Sequence, residues 1–122
     1  FLDAGDFDAY AALFTEDGEV ILGPMGRATG WDNLRELMRT ILDGRVGSAY
    51  HIISSPAVTL AGDEATSEVM WTVIQRDAQG KPFLSSMGRH VDRLVREAGV
   101  WKIAQRRGLI DLPQRLPQSG EK

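Results

Sequence analysis

Four segments between residues 49 and 110 have the composition and alternation of β-strands, and only short turns separate them. The turns are AGDE (61–64), DAQGKP (77–82) and EAG (97–99). None of them is long enough to carry a crossover helix, so successive strands must pair as antiparallel neighbours. The second half of the chain therefore predicts an antiparallel meander, which constrains the fold more than any other feature.

The first half has helical periodicity instead. Gly5 is expected to end a first helix and Asp6 to cap a second, whose apolar residues recur at positions 7, 10, 11 and 14. A third helix is predicted within ATGWDNLRELMRTIL, with a Thr29–Asp32 capping box and an apolar stripe of Leu34, Leu37, Met38 and Ile41. Helices followed by strands predict an α+β fold. We expect about three N-terminal helices and a strongly curved antiparallel sheet to form a cone-shaped barrel around a pocket.

The length of 122 residues fits one domain, which we expect over residues 1–112, followed by a polar, flexible tail over 113–122. The net charge of −3 gives no electrostatic reason to bind nucleic acid. No apolar run approaches the roughly 20 residues of a membrane span. We therefore expect a cytoplasmic protein without nucleic-acid or membrane partners. The chain starts at Phe1 without an initiator Met, so further residues upstream are expected.

The two histidines, His51 and His90, are the side chains best suited to move a proton near neutral pH. His51 opens the strand that follows the third predicted helix. A histidine base needs an orienting partner, and Asp3 at the end of the first predicted helix is a candidate. Spacing alone favours a plainer interpretation, with Asp3 on the surface and His51 hydrogen-bonded in the core. His90 either lines the pocket or lies on the surface.

Arg106 and Arg107 are neighbours on the last strand, so one of them faces inward unless both lie on the surface. An inward arginine can bind an anion or stabilise a departing group. On a regular strand Arg106 faces away from Trp101 and Ile103, so it enters a pocket only through a bulge or twist. Trp71 and Trp101 are expected in the core. The chain has no cysteine, no His-x-x-x-His and no Gly-x-Ser-x-Gly, which disfavours a metal site and a serine hydrolase.

Three segments resemble the SnoaL-like branch of the nuclear transport factor 2-like superfamily: LDAGDFDAYAALFTEDGEV (2–20), HIISSPAVTL (51–60) and GRHVDRLVREAGVWKIAQRRG (88–108). The resemblance extends over nearly the whole chain short of the tail. It implies the cone-shaped α+β fold and a homo-oligomer, either a dimer or a trimer. It implies less about function, because one fold supports many activities.

Within that superfamily the chain resembles the sub-branch of scytalone dehydratase, bile acid 7α-dehydratase and hexachlorocyclohexane dehydrochlorinase, which share an Asp–His pair. By this resemblance the pair is Asp3 and His51, and Arg106, five residues after the Trp of GVWK, matches an arginine of the dehydrochlorinase. The resemblance implies a cofactor-independent lyase with His51 as general base, Asp3 as its orienting partner and Arg106 at the departing group. No metal is implied. The pocket residues expected are Val20, Tyr50, Trp71 and His90.

Two other functions stay open. A polyketide cyclase or an isomerase would use the same pocket and the same base. A non-catalytic ligand-binding or scaffold subunit, like the small subunit of ring-hydroxylating dioxygenases, would need neither. The expected ligand is a small apolar, aromatic, steroid-like or polyketide-like molecule.

Overall fold

The computed structural model of the protein describes residues 1–112. Within them it contains two α-helices, α1 (Phe7–Ala11) and α2 (Trp31–Ile41), and two short 3-10 helices, Leu2–Ala4 and Gly23–Met25. The strands are β1 (Phe14–Ile21), β2 (Arg27–Thr29), β3 (Ala49–Ala61), β4 (Glu64–Arg76), β5 (Pro82–Glu97) and β6 (Val100–Leu112). No helix among these residues is long and apolar enough to cross a membrane.

The strands form one mixed sheet in the order β2-β1-β6-β5-β4-β3. The last four strands pair with their chain neighbours in antiparallel fashion, which confirms the predicted meander and the α+β class. Strand β1 joins this meander by pairing with β6 in parallel, so the sheet is not wholly antiparallel. The helices pack against the β1 side, where Phe14, Val20 and Leu34 form the most deeply buried part of the core.

The N-terminal half differs from the prediction in its helices. The segment around Asp3 is a 3-10 helix of three residues rather than the end of an α-helix, so the described chain has two α-helices and not three. Asp6 does cap α1, accepting a hydrogen bond from the Ala9 N–H at 3.0 Å. However, α1 ends at Ala11, and Phe14, expected on the helical stripe, opens β1. Such a short helix depends on tertiary packing, which here overrides the local periodicity.

The start of α2 was also predicted wrongly. Thr29 belongs to the short strand β2, which the sequence did not indicate, and the N-cap of α2 is Gly30 without a side-chain hydrogen bond. Pairing of β2 with β1 holds Thr29 opposite Glu19, so its hydroxyl does not cap the helix. The predicted apolar stripe of α2 is confirmed, since Leu34 and Met38 are buried in the core.

A bulge in β6 decides which side chains face the interior. Leu94 of β5 pairs with Ile103, but the adjacent Arg93 pairs with Gln105, so Ala104 is an extra residue on β6. The extra residue shifts the inside–outside alternation by one position and bends the strand. Ile103 is therefore buried in the core while Arg106 also faces inward, as expected if a bulge were present.

Trp101 does not lie in the core, contrary to the prediction. Its side chain is exposed on β6, and the Arg96 guanidinium carbon lies 5.5 Å from its ring centroid. Trp71 is buried, as predicted. The difference follows from position along the strand, because Trp101 is next to the β5–β6 turn, beyond the part of the sheet that the helices cover.

Candidate functional site

The carboxylate of Asp3 contacts His51 twice. Asp3 Oδ2 accepts a hydrogen bond from the His51 backbone N–H at 2.8 Å, and Asp3 Oδ1 lies 2.6 Å from His51 Nδ1. A carboxylate can only accept, so the ring nitrogen that faces it carries a hydrogen, and in the neutral imidazole Nε2 then has the lone pair. Both side chains are 30% exposed. The structure thus joins two residues that spacing alone did not place together.

Two local features explain this geometry. Strand β3 is at the edge of the sheet and pairs only with β4, so every second backbone N–H of β3 points away from the sheet. The N–H of His51 is one of these, and Asp3 supplies its acceptor. Gly5, in the left-handed conformation with φ 74°, ends the 3-10 helix that carries Asp3. This turn lets the chain continue into α1 while Asp3 remains beside β3.

An apolar cavity of about 190 Å³ lies beside this pair. His51 lines it, together with Tyr10 of α1, Trp71 of β4 and His90 of β5. Most of the remaining wall consists of apolar side chains from α2, from the sheet, and from the two 3-10 helices and their adjoining loops. The volume is below the roughly 300–1,000 Å³ typical of sites for drug-sized ligands, so the space suits a small ring system.

His90 is a neutral histidine in the wall of the cavity. Burial, together with the charges of the neighbouring Arg106 and His51, lowers the pKa of His90 to about 3. Its ring centroid is 6.1 Å from that of Trp71. At neutral pH this imidazole has one donor and one acceptor nitrogen and no charge. The structure places it where a pocket residue was expected.

Arg106 forms a buried bidentate ion pair with Asp92. Its Nε lies 2.9 Å from Oδ1 and its Nη2 lies 2.8 Å from Oδ2, and the Asp92 side chain is only 5% exposed. Burial lowers the pKa of Arg106, but Asp92 and Tyr10 outweigh it, so the pKa rises above its ordinary value and the guanidinium stays charged. Arg106 is not among the residues that line the cavity. Its guanidinium carbon lies 6.0 Å from the ring centroid of Phe14, which packs against Tyr10.

Tyr10 was missed as a site residue because it was assigned only to the apolar stripe of a helix. Its side chain is 5% exposed, and it lines the cavity. Burial raises the pKa of Tyr10, while the adjacent Arg106 partly offsets that rise, so the phenol keeps its proton at neutral pH. A hydroxyl inside an otherwise apolar stripe is the signal that could have identified it, since a buried tyrosine usually needs a polar partner.

Other wall residues were not predicted either. Three polar side chains, Arg45, Gln75 and Ser86, line the cavity, but nothing in their local sequence distinguishes them from ordinary surface residues. Gln75 and Ser86 occupy inward positions on neighbouring strands, which could be deduced only once the strand register was known.

Two residues expected in the pocket lie elsewhere. Val20 is completely buried in the core formed with Phe14 and Leu34 and does not reach the cavity. Tyr50 is 45% exposed, and the guanidinium carbon of Arg76 lies 5.8 Å from its ring centroid. Because side chains alternate along β3, Tyr50 points away from the face that His51 shares with the cavity.

Arg107, the alternative to Arg106 on the last strand, is exposed. Within residues 1–112, His, Asp and Glu side chains form no cluster of three that could hold a metal ion.

Comparison with known proteins identifies the family. The family model of the SnoaL-like domain matches residues 1–107, nearly all of the described chain. The protein belongs to the SnoaL-like domain family. A search of curated proteins gives no match.

Solved structures of SnoaL-like and related proteins share the fold. Rv3472 of Mycobacterium tuberculosis, a protein of unknown function, is 29% identical with a TM-score of 0.79; the match covers 90% of this chain but only 63% of that one. ActVI-ORFA of Streptomyces coelicolor is 28% identical with a TM-score of 0.78, over 90% of this chain and 86% of that one. A candidate scytalone dehydratase of Novosphingobium aromaticivorans is 25% identical with a TM-score of 0.74, over 91% and 74%.

Proposed function

We propose that this SnoaL-like protein is a cofactor-independent lyase that eliminates water, or a similar small leaving group, from a small and largely apolar molecule. The observation that carries this proposal is the Asp3–His51 pair in the wall of the apolar cavity. A histidine oriented by a carboxylate and open to a cavity has the arrangement of a general base. The similarity to a candidate scytalone dehydratase is consistent with this reaction class.

In the proposed reaction His51 Nε2 takes a proton from a carbon atom of the substrate. The electrons of that C–H bond form the new double bond, and the leaving group departs with its own bonding pair. Asp3 is hydrogen-bonded to the backbone N–H and to the ring Nδ1 of His51. It therefore keeps the ring from rotating and stabilises the imidazolium that forms. The imidazolium then returns the proton to the departing hydroxide, so water is released.

The proposed substrate is small. A cavity of about 190 Å³ favours a molecule with one or two rings over a steroid-sized one. Arg106 pairs with Asp92 two positions along the strands from the His90–Gly108 pair, which lines the cavity, so its positive charge lies next to the cavity wall. Fixed positive charge near a departing group lowers the barrier to its departure. We therefore assign Arg106 to electrostatic support of the leaving group.

The test is a substrate screen with a His51→Gln variant. Hydroxylated and halogenated one-ring and two-ring compounds would be incubated with the native protein and with the variant, and products identified by mass spectrometry. We expect turnover of at least one compound by the native protein and a loss of about 10³-fold or more in His51→Gln, as for loss of an essential base. Circular dichroism would verify that the variant is folded. Full activity of that variant would disprove the role of His51.

A cyclase or isomerase is the second candidate, since the same pair and cavity would serve it. The product separates the two possibilities, because elimination releases water or halide whereas isomerisation conserves mass. A non-catalytic scaffold is less well supported, since a scaffold needs neither a cavity nor a histidine oriented by a carboxylate.

We also propose a homo-oligomer. The face of strands β3 to β5 opposite to that of Trp71 exposes large apolar side chains, which a second copy of the chain could cover: Tyr50, Ile52, Met70 and Leu84. Sedimentation analysis would give the number of subunits, and a monomer at micromolar concentration would contradict the proposal.

A further inference from the structure

We propose that the cavity wall formed by Tyr10, Trp71 and His90 is a donor site for an oxygen atom of the bound molecule, with the Tyr10 hydroxyl as its principal hydrogen-bond donor. Arg106 and Asp92 act as positioning residues behind Tyr10. This proposal concerns the same cavity as the proposed function and adds a residue that contacts the reacting molecule. The ligand is then defined further, as a small apolar molecule with a carbonyl or hydroxyl oxygen that gains negative charge.

The first observation is the location of Tyr10. It is only 5% exposed, and it brings a hydroxyl group into the cavity wall. Its ring packs edge-on against Phe14, with centroids 5.3 Å apart, so the phenol is held by the core. A fixed donor in a largely apolar cavity forms a stronger hydrogen bond than a donor in water.

The second observation is the support behind the phenol. Two nitrogen atoms of Arg106 are bound by Asp92 at 2.9 and 2.8 Å, which fixes the plane of the guanidinium. The charged groups that act on Tyr10 are this guanidinium and the Asp92 carboxylate. Arg106 does not line the cavity, but its guanidinium carbon lies 6.0 Å from the ring centroid of Phe14, against which Tyr10 packs. The positive charge polarises the phenol O–H and makes it a better donor to an oxyanion.

The third observation is an indole N–H without an acceptor. Trp71 lines the cavity, and its Nε1 is buried without a hydrogen-bond partner among residues 1–112. Leaving such a donor unpaired costs free energy, so buried donors are usually bonded to something. An acceptor oxygen on the bound molecule would satisfy it. Trp71 and Tyr10 are thus independent indications that the ligand carries an oxygen on this side.

The chain contains only two tyrosines, which provides a matched pair of variants. Tyr10→Phe removes the hydroxyl and keeps the ring, and Tyr50→Phe does the same at an exposed position outside the cavity. The probes are 4-nitrophenolate, an oxyanion on one ring, and nitrobenzene, which has the same ring without that oxygen. Isothermal titration calorimetry would measure both affinities in the native protein and in each variant.

We expect the native protein to prefer 4-nitrophenolate to nitrobenzene. Tyr10→Phe should reduce the affinity for 4-nitrophenolate roughly 10- to 100-fold, the usual effect of losing a hydrogen bond to a charged group, and leave that for nitrobenzene unchanged. Tyr50→Phe should change neither. The proposal is overturned if the native protein shows no preference, if Tyr10→Phe behaves like Tyr50→Phe, or if both probes lose affinity equally.

The positioning role of Arg106 is tested by the pKa of Tyr10, which a purely structural role of Arg106 would leave unchanged. In the Tyr50→Phe protein, labelled with ¹³C at tyrosine Cζ, Tyr10 gives a single resonance whose pH titration reports its pKa. The double variant Asp92→Asn/Arg106→Met removes both charges and leaves neither one buried alone. We expect a higher Tyr10 pKa and a weaker preference for 4-nitrophenolate, with partial rescue in Arg106→Lys. No change in either quantity would refute the positioning role.

Failure of this proposal and failure of the proposed function can be told apart, because binding of 4-nitrophenolate does not require His51 as a base. If His51→Gln keeps full turnover while Tyr10→Phe loses the phenolate preference, the base assignment is wrong and the donor site is correct. The opposite pattern supports the base and refutes the donor site.

Discussion

One carboxylate, that of Asp3, binds both the backbone N–H and the ring Nδ1 of His51, at 2.8 and 2.6 Å. The two bonds do different things. The first attaches the 3-10 helix to an edge strand that would otherwise leave this N–H without a partner in the sheet. The second selects the tautomer of the imidazole. The position of the strand and the tautomer of the base are therefore set by the same side chain.

Asp3→Asn should separate these two effects. The amide can still accept from the backbone N–H, but its NH₂ group would then face Nδ1 and favour the tautomer with the hydrogen on Nε2. We expect the ¹⁵N chemical shifts of the two His51 ring nitrogens to exchange their order, with little change in the free energy of unfolding. If the protein is the proposed lyase, kcat should fall by about 10²–10⁴-fold, as it does in catalytic triads whose histidine is in the wrong tautomer.

The control for that variant is Asp43→Asn, at an exposed position in the loop before β3. It should alter neither the His51 shifts nor the activity. Unchanged ¹⁵N shifts in Asp3→Asn would show that the carboxylate does not determine the tautomer.

The buried Arg106–Asp92 pair should show strong coupling in a double-mutant cycle. Arg106→Met leaves the Asp92 carboxylate, 5% exposed, without its partner, and we expect a loss of about 3–5 kcal/mol in the free energy of unfolding. Asp92→Asn/Arg106→Met removes both charges and should be considerably more stable than the single Arg106→Met variant. Urea denaturation monitored by tryptophan fluorescence would measure each value.

The exposed pair Arg96–Asp63 is the natural comparison. Its nitrogen and oxygen are 2.6 Å apart, but its side chains are 45% and 72% exposed. Loss of Arg96 should therefore cost no more than about 1 kcal/mol. If loss of Arg96 and loss of Arg106 lowered the free energy of unfolding equally, burial would not explain the strength of the Arg106–Asp92 pair.

His90 should make the protein less stable at acidic pH. Its pKa is about 3 in the folded state, because of burial and of Arg106 and His51, whereas an unfolded histidine titrates near its model value of 6.5. Between these values the unfolded chain binds one more proton than the folded chain. The contribution is complete above pH 6.5 and is lost as the pH falls towards 3, at up to about 1.4 kcal/mol per pH unit.

A comparison of the native protein with His90→Asn isolates this contribution, since the other titrating groups are common to both. The free energy of unfolding would be measured from pH 7.5, above the unfolded pKa of 6.5, down to about pH 4.5, between the unfolded and folded pKa values. The difference between the proteins should shift in favour of the variant as the pH falls. Parallel pH profiles would mean that His90 is not held neutral by its surroundings.

The parts of the fold that sequence predicted well are the ones fixed by neighbours along the chain. Short turns required the β3–β6 meander, and the Asp6 cap of α1 depends on residues three positions apart. Strand β2 and the parallel pairing of β1 with β6 depend on distant partners, and no local sequence pattern indicated them.

The same distinction applies to the site. Asp3 and His51 are 48 residues apart, so spacing could not join them, and only the resemblance to a family did. The inward direction of Arg106 depends on a bulge at Ala104, a residue type with no special preference for bulges. Tyr10 looked like an ordinary member of an apolar stripe, because its hydroxyl gains significance only from the cavity that the folded chain places beside it.

Gly88 should be the glycine of the sheet least tolerant of substitution, because the Trp71 ring occupies the space above it. A Cβ at this position would collide with the carbonyl oxygen of Leu109 and would lie 2.8 Å from Cε2 of Trp71 and still closer to Cζ2. Neither neighbour can move without disturbing the sheet or the cavity wall. Gly88→Ala should therefore reduce the free energy of unfolding by an amount at or above the upper end of the roughly 1–3 kcal/mol typical of overpacking.

Gly108→Ala provides the matched control for Gly88→Ala. Its Cβ would also be crowded, at 2.7 Å, but by Cδ2 of Leu22, the end of a flexible side chain that can rotate away. We expect a change within about 1 kcal/mol, since Ala also suits a strand slightly better than Gly. Urea denaturation would measure both variants, and titration with 4-nitrophenolate would show whether a displaced Trp71 also weakens binding. Equal stability of the two variants would mean that Trp71 is not packed on Gly88, and the cavity wall would then differ from the one on which the donor site depends.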